Sequence, residues 1–394
     1  MLFMVAKVLD SVQRLPDGKE LVRWHLVDDN YQVIKPVEQF LRFKQSSGSA
    51  IGTIKTYAEK LKAFWKYLDI KVLNWQDFDL EEMAEFNHWY LTGGLLLDEN
   101  FVSSNSENIL VPRNESTVNL ALTAVVQFYD FHVRRKTFDD KNLCVYRKPR
   151  REKQSGMFAG YRKESPVKVR LVKNKEREKF PGCLTPDQVR TLINACYQNR
   201  DKLILWLLAD TGMRKGELLG LHWSDIDWNA RTLKIVRRDN INQAYAKGRE
   251  RELSIAGLMT NREFCKILSK YSDIDYPHDV VKNLGHDMVF VVLHKGSASY
   301  GKPLEPQNLN KLLKRLHQKT DIDITRVYPH LFRHTFATHN IRKGREKGQD
   351  QEKTAKSVQR QLGHKSIATT LDIYEHSFDE AEMLNEMERV TEGK

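Results

Sequence analysis

Residues 145–180 hold thirteen Lys and Arg against four Glu, with Gly, Pro and few large apolar side chains. Such a stretch cannot bury enough surface to offset the entropy of ordering a core of its own. A chain of 394 residues interrupted in this way must fold as separate bodies on either side. The bounds predicted are 1–35 as an N-terminal β-hairpin-like extension, 36–144 as a helical domain, 145–182 as a basic linker and 183–394 as a second domain. The composition of the linker suits a solvated joint. It also suits a segment lying along a polyanion, through Arg147, Lys148, Arg150, Arg151, Arg162, Lys163, Lys168 and Arg170.

The first body reads as helical. An apolar run over 3–9, the turn signal Pro16-Asp17-Gly18 and a strand-like 21–27 suggest a hairpin ahead of it. Pro36 then opens a helix whose apolar face carries Val37, Phe40, Leu41 and Phe43. Residues 53–68 place Ile54, Tyr57, Leu61, Phe64, Trp65 and Leu68 at steps of three and four. Residues 80–91 predict a third helix. Residues 117–135 predict a fourth, with Leu120, Ala121, Ala124, Val125, Phe128 and Tyr129 as its apolar stripe. Helices at this density make a compact α domain.

The second body is mixed. Thr185-Pro186 with Gln188 writes a capping box, so a helix is predicted over 187–197 and another over 202–211, ended by Gly212. A helix resumes over 214–219. Strands are predicted at 232–237, 252–255 and 289–293, and the pattern is helical from Glu305 onward. The fold class is therefore mainly α with a small β-sheet.

Lys and Arg number 64 against 52 Asp and Glu, a net charge of +12, which favours a polyanionic partner. Cys144, Cys183, Cys196 and Cys265 lie far apart with no CxxC pair. They read as buried thiols of a reducing compartment rather than a disulfide or zinc framework. No run of about eighteen apolar residues is present, so a soluble, cytoplasmic protein with no membrane partner is expected.

Several residues could carry chemistry, and each has an ordinary explanation alone. Arg214 follows the helix-ending Gly212, with Glu217 three residues on. This could present a guanidinium to a phosphate, or be a surface ion pair. Lys247-Gly248 before a strand could place a mobile proton donor, or be an exposed basic turn. His330 and Arg333 share a helix face, and the planar fork of Arg suits phosphate oxygens. His330, His334 and His339 do not fall on one face and lack a carboxylate, which argues against a metal site. Gly363 suits a helix end that leaves His364 at a turn. Tyr374 then opens a new helical stretch, where it could equally be a half-buried aromatic.

Taken in order, Thr211-Gly212-x-Arg214-x-x-Glu217-Leu218, Lys247, His330-x-x-Arg333-His334-Thr335-Phe336-Ala337-Thr338, Leu362-Gly363-His364 and Tyr374 resemble the tyrosine recombinase (phage-type integrase) family. The resemblance covers about 183–394, and 36–136 is similar in pattern to that family's SAM-like core-binding domain. It implies a mixed α/β catalytic domain and a site-specific DNA recombinase serving a mobile element or prophage, with no cofactor and no metal. By carry-over Tyr374 is the nucleophile and forms a 3′-phosphotyrosyl link. Arg214 and Arg333 bind the non-bridging oxygens, and His330 and His364 support the phosphate and the tyrosine proton. Lys247 protonates the leaving 5′-oxygen and Glu217 buttresses Arg214. The partners implied are double-stranded DNA and a homotetramer on synapsed sites, built from protein that is monomeric or weakly associated without DNA. Accessory DNA-bending proteins fit the same picture, as does nucleoid association when bound. A tail helix over 377–392 would dock in its own or a neighbouring protomer. The alternatives are a type IB topoisomerase-like relaxing enzyme and a non-catalytic DNA-binding regulator of the same fold.

Overall fold

Two large apolar clusters organise the chain, one in each of two units, Met1–Glu178 and Lys179–Lys394, and a smaller one lies in the second unit. The structure is a computed structural model that describes residues 6–14, 20–94, 112–136, 139–140, 143–147, 167–176 and 182–363.

The first unit begins with the antiparallel pair β1 (Lys7–Arg14) and β2 (Glu20–Val27), in register from Lys7 opposite Val27. The first strand lies several residues beyond the apolar run that suggested it. Most of β1 is exposed, so pairing with β2 rather than burial sets its extent. The turn signal at Pro16-Asp17-Gly18 falls outside the described residues. The pair is no separate body, because Ala6 and Leu26 enter the helical core.

Four helices follow: α1 (Lys35–Ser46), α2 (Ile51–Ile70), α3 (Leu80–Thr92) and α4 (Glu115–Arg134). Asp79 caps α3 by accepting from the Glu82 N–H at 3.0 Å, and Asn114 caps α4 through the Thr117 N–H at 2.9 Å. Rings fill the centre. Phe64 meets Phe78 edge-on at 4.8 Å and Phe86 at 5.5 Å, and Phe128 meets Trp65 at 5.6 Å. Leu120 does not belong to the buried stripe of α4. It is 39% exposed, and Val118, Leu122 and Val126 face inward instead.

The basic stretch is in part structured. β3 (Cys144–Arg147) pairs antiparallel with β4 (Val167–Arg170). The arm after β4 is fastened to α4 by Asn119, which is 4% exposed. Asn119 Oδ1 accepts from the Asn174 N–H at 3.0 Å, while its Nδ2 donates to the Asn174 carbonyl at 3.0 Å and to Glu176 Oε1 at 2.7 Å. Arg170 donates to the Asn119 carbonyl. One of the linker cations is thus an internal brace. Lys148, Arg150, Arg151, Arg162 and Lys163, and the side chains of Arg147 and Lys168, lie outside the described residues.

The second unit opens with α5 (Pro186–Asn194), α6 (Asn199–Thr211) and α7 (Lys215–Leu219). The capping box forms as written, with Thr185 Oγ1 accepting from the Gln188 N–H at 3.2 Å and Gln188 Oε1 from the Thr185 N–H at 2.9 Å. An antiparallel sheet of β5 (Ile226–Asp227), β6 (Thr232–Ile235) and β7 (Arg251–Ser254) comes next. Short helices that the sequence did not disclose follow: α8 (Ala256–Thr260), α9 (Arg262–Lys270), one π turn (Tyr271–Asp275) and α10 (His278–Asn283). Residues 289–293 are not a strand. They are largely buried and bond to the backbone of Leu221, Gly301, Lys302 and Leu304, but these bonds amount to isolated bridges, such as Val291 with Pro303, and not to a ladder. The unit closes with α11 (Pro306–Lys319), α12 (Pro329–Glu346) and α13 (Gln351–Leu362). Cys196 is buried, Cys144 and Cys265 are half-buried and Cys183 is exposed, so burial does not account for all four thiols. No helix among the described residues is long and apolar enough to cross a membrane.

Candidate active site

Two glycines set the frame. Gly212 ends α6 at φ 61°, and Gly363 ends α13 at φ 65°, a left-handed backbone that side chains disfavour. Space forbids a side chain at Gly212 as well. A Cβ there would lie 2.6 Å from the Phe336 ring and 2.7 Å from Leu362. Phe336, Ala337, Ile341, Val358 and Leu362 pack as a small core joining α12 to α13. The ends of α6 and α13 are thereby held against α12.

Three arginines and one carboxylate meet in that frame. Arg333, on α12, is 3% exposed. It donates to the Gly212 carbonyl at 2.9 Å and to the Leu362 carbonyl. Arg214 is the residue before α7 and reaches the same Leu362 carbonyl at 3.5 Å. The last carbonyls of a helix lack intrahelical partners and carry its negative end, so cations gather there. Glu217, 2% exposed, is the common anchor. It accepts from the Arg214 side chain at 2.9 Å and from the Arg214 backbone N–H at 2.9 Å. Arg251 of β7 grips both of its oxygens, at 3.1 and 2.8 Å, and donates to the Gln361 carbonyl at 2.6 Å. Arg251 was not singled out from the sequence. Its only signal was a crowd of basic residues at the β6–β7 connection.

The electrostatics favour an anion. Burial pushes the Glu217 carboxyl upward, but the bonds and charges of Arg251 and Arg214 outweigh it and hold the group below the usual carboxylate range. Burial, then the Arg214 charge, pulls Arg333 down to about 9, with Arg251 adding to the effect and Glu217 opposing it. Three guanidiniums facing one carboxylate leave an excess of positive charge, which a phosphate would relieve. His330 opens α12 one turn before Arg333. Desolvation first, then the charges of Arg333, Arg214 and Lys215, lower its pKa. His334 is lowered to about 4 by burial, His330 and Arg333.

The other predicted residues divide. Lys247 is exposed in the 236–250 connection, and its neighbour Gly248 abuts the cluster. A Cβ on Gly248 would lie 2.8 Å from Arg214 Nη1 and 2.9 Å from Glu217 Oε1. Arg238 is committed to Asp225 through two bonds of 2.7 Å, and Arg237 Nε to the Gly248 carbonyl at 2.8 Å. His364, Tyr374 and the 377–392 tail lie outside the described residues. The structure thus brings together Arg214, Glu217, Arg251, Arg333 and His330, beside Gly248 and one residue short of His364.

The model of the phage integrase family matches residues 183–381, and that of its N-terminal SAM-like domain matches 37–136. The chain is 31% identical over 387 residues to transposase A from transposon Tn554 of Staphylococcus aureus, covering 98% of this chain and 99% of the relative. It is 26% identical to tyrosine recombinase XerD of Halalkalibacterium halodurans, covering 86% and 92%. The XerH site-specific recombinase bound to palindromic difH, a post-cleavage complex, shares the fold at TM-score 0.55 and 18% identity, with 91% and 95% covered. The Tn1549 transposon integrase with circular-intermediate DNA does so at 0.52 and 16%, with 86% and 94% covered. Fold and relatives together define a tyrosine-type site-specific recombinase. Within that class the chain belongs to the phage integrase family.

Proposed function

We propose that this recombinase serves a mobile element, joining and excising its ends by cutting and resealing double-stranded DNA. The Tyr374 hydroxyl attacks a scissile phosphorus. The bond to the 5′-oxygen breaks, and a 3′-phosphotyrosyl link holds the strand for resealing. The tyrosine proton passes toward His330 and His364, and Lys247 returns a proton to the departing 5′-oxygen. Arg214 and Arg333 bind the non-bridging oxygens, whose charge grows in the transition state. Four copies on two sites exchange strands through a Holliday junction, and the tail over 377–392 links neighbours. The single observation that carries the reading is the convergence of Arg214, Arg333 and Glu217 at the end of α13, two residues before His364. Similarity over nearly the whole length to a transposon's transposase supports the mobile-element role.

A nicked suicide duplex spanning the joined ends of the element that carries the gene tests it. In EDTA the native protein should leave a denaturation-resistant adduct, and Tyr374→Phe should abolish it. Absence of the adduct, or its survival in the variant, would sink the proposal.

A further inference from the structure

The connection between β6 and β7 is a ribbon rather than a slack loop. Ile241, Gln243, Tyr245, Lys247 and Arg249 are exposed, while Asn242, Ala244, Ala246 and Gly248 between them are buried. A turn closed by the Gln243 N–H on the Asn240 carbonyl at 2.9 Å leads in, and from Ala244 to Gly248 burial of every second residue marks an extended segment with one edge seated and the other open. The seated edge is fixed at several points. Asn242 donates to the Leu219 carbonyl at 3.0 Å and the Leu304 carbonyl at 2.8 Å, and accepts from the Ala244 N–H at 3.0 Å. Asn240 donates to the Ala244 carbonyl at 2.8 Å. The Tyr245 carbonyl occupies the place a Cβ on Gly216 would need, and Gly248 closes on Arg214 and Glu217. Gln243 sits at φ 59°, a conformation that costs a residue of this kind about 1–2 kcal/mol. The open edge exposes 71% of Ile241 and 44% of Tyr245 to water.

We propose that Gln243 and Tyr245 read the base pairs flanking the cleaved phosphodiester, and so set the sequence preference of the site. This rests on the recombinase reading of the Arg214–Arg333 cluster. Phosphates bound by that cluster position the duplex but carry no sequence information. The ribbon leaves the cluster at Gly248 and presents one side chain every second residue. Those side chains repeat at about 6.6–6.8 Å, close to two base-pair steps of about 3.4 Å. With Lys247 at the cleaved bond, Tyr245 falls about two steps away, and Gln243, carried by the turn that precedes the extended segment, falls farther along the duplex. The Gln amide can donate and accept together at one base edge, as adenine requires. The aromatic face of Tyr can pack on an adjoining sugar or base. A ribbon already fixed gives up little conformational freedom on binding, so contact energy is kept for discrimination.

The experiment uses the full chain and suicide duplexes that differ by one base pair at each of the first six positions on either side of the cleaved bond. The native protein should discriminate about tenfold at one or two positions. Tyr245→Ala and Gln243→Ala should each flatten the profile at a different position, Tyr245 nearer the bond. Gln243→Glu, which keeps the shape but can only accept, should change the preferred base at its position. Because the Tyr245 carbonyl rather than its ring packs on Gly216, truncation leaves the ribbon seated. Variants that slow every duplex by one common factor, or leave the native profile intact, overturn this inference alone. No adduct from the native protein on any duplex overturns the recombinase reading and this inference with it.

Discussion

Replacing Glu217 by Gln removes one charge from the most enclosed position of the arginine cluster while keeping its shape. The guanidiniums of Arg214 and Arg251 lie at hydrogen-bond distance from the carboxylate. A pair of charges at such range gains about 4 kcal/mol at an effective dielectric constant of 20, partly offset by desolvation. Breaking a buried pair by removing one partner costs about 3–5 kcal/mol. The Gln oxygen can still accept from one arginine, but its NH2 then faces the other, donor against donor. About 3 kcal/mol is therefore expected. Hydrogen exchange of the Leu218 amide reads it in place, since that N–H is bonded to the Arg214 carbonyl at 2.9 Å. Exchange should accelerate roughly a hundredfold at pH 7. The sign with pH follows from the direction of the shift. A carboxyl held low in the folded chain contributes stability that is fully present above its unfolded pKa of about 4.3. That stability fades as pH falls through the lowered folded value. The gap between native and Glu217→Gln should hold from neutral pH to about 4.5 and close below it. With Arg214 unanchored, adduct formation should fall by about a hundredfold. A change under about 1 kcal/mol, or a gap that persists at low pH, would refute the claim that the carboxylate charge organises the cluster.

Gly248→Ala should leave the catalytic unit folded but slow adduct formation at least tenfold, because a Cβ there lies 2.8 Å from Arg214 Nη1 and 2.9 Å from Glu217 Oε1. Single-turnover cleavage with DNA binding measured in parallel checks it, and an unchanged rate would mean that Arg214 yields freely. Asn119→Ala should release the 171–176 arm, leaving the Asn174 N–H without its partner at a cost of about 1–3 kcal/mol. Trypsin cleavage after Lys173 or Lys175 should speed up while α4 persists by circular dichroism, and equal cleavage rates would contradict the fastening role.

The parts that were legible from the sequence are those whose determinants are local. The capping box at Thr185 and Gln188, the left-handed ends at Gly212 and Gly363, and the periodic aromatic faces of α2 and α4 depend on residues within a turn or two of each other. The missed parts depend on partners far along the chain. α8 and α9 are five and nine residues long and bury only Leu258, Phe264 and Ile267, too few for a period to emerge. Residues 289–293 have the composition of a strand and the burial of one, yet no neighbouring strand pairs with them. Asn119 looks like a neutral residue within a helix until the arm from beyond β4 folds onto it.

Arg214 and Glu217 make the same point more sharply, because the pair itself was visible. At a spacing of three on a short helix they read as a surface ion pair of little energetic weight. Burial of Glu217 alone would not change that, since a buried carboxylate with one partner is costly to keep. What changes it is Arg251, 34 positions further on, which grips both oxygens from β7. With two cations on one carboxylate, Glu217 stays ionised, and Arg214 can keep 24% of its side chain open to solvent while remaining fixed. Arg251 also bonds the Gln361 carbonyl, so the same brace holds the end of α13 and hence the point from which His364 departs. The placement of Arg214 and the exit of the α13 chain are thus set by one side chain, and only the folded sheet brings it there.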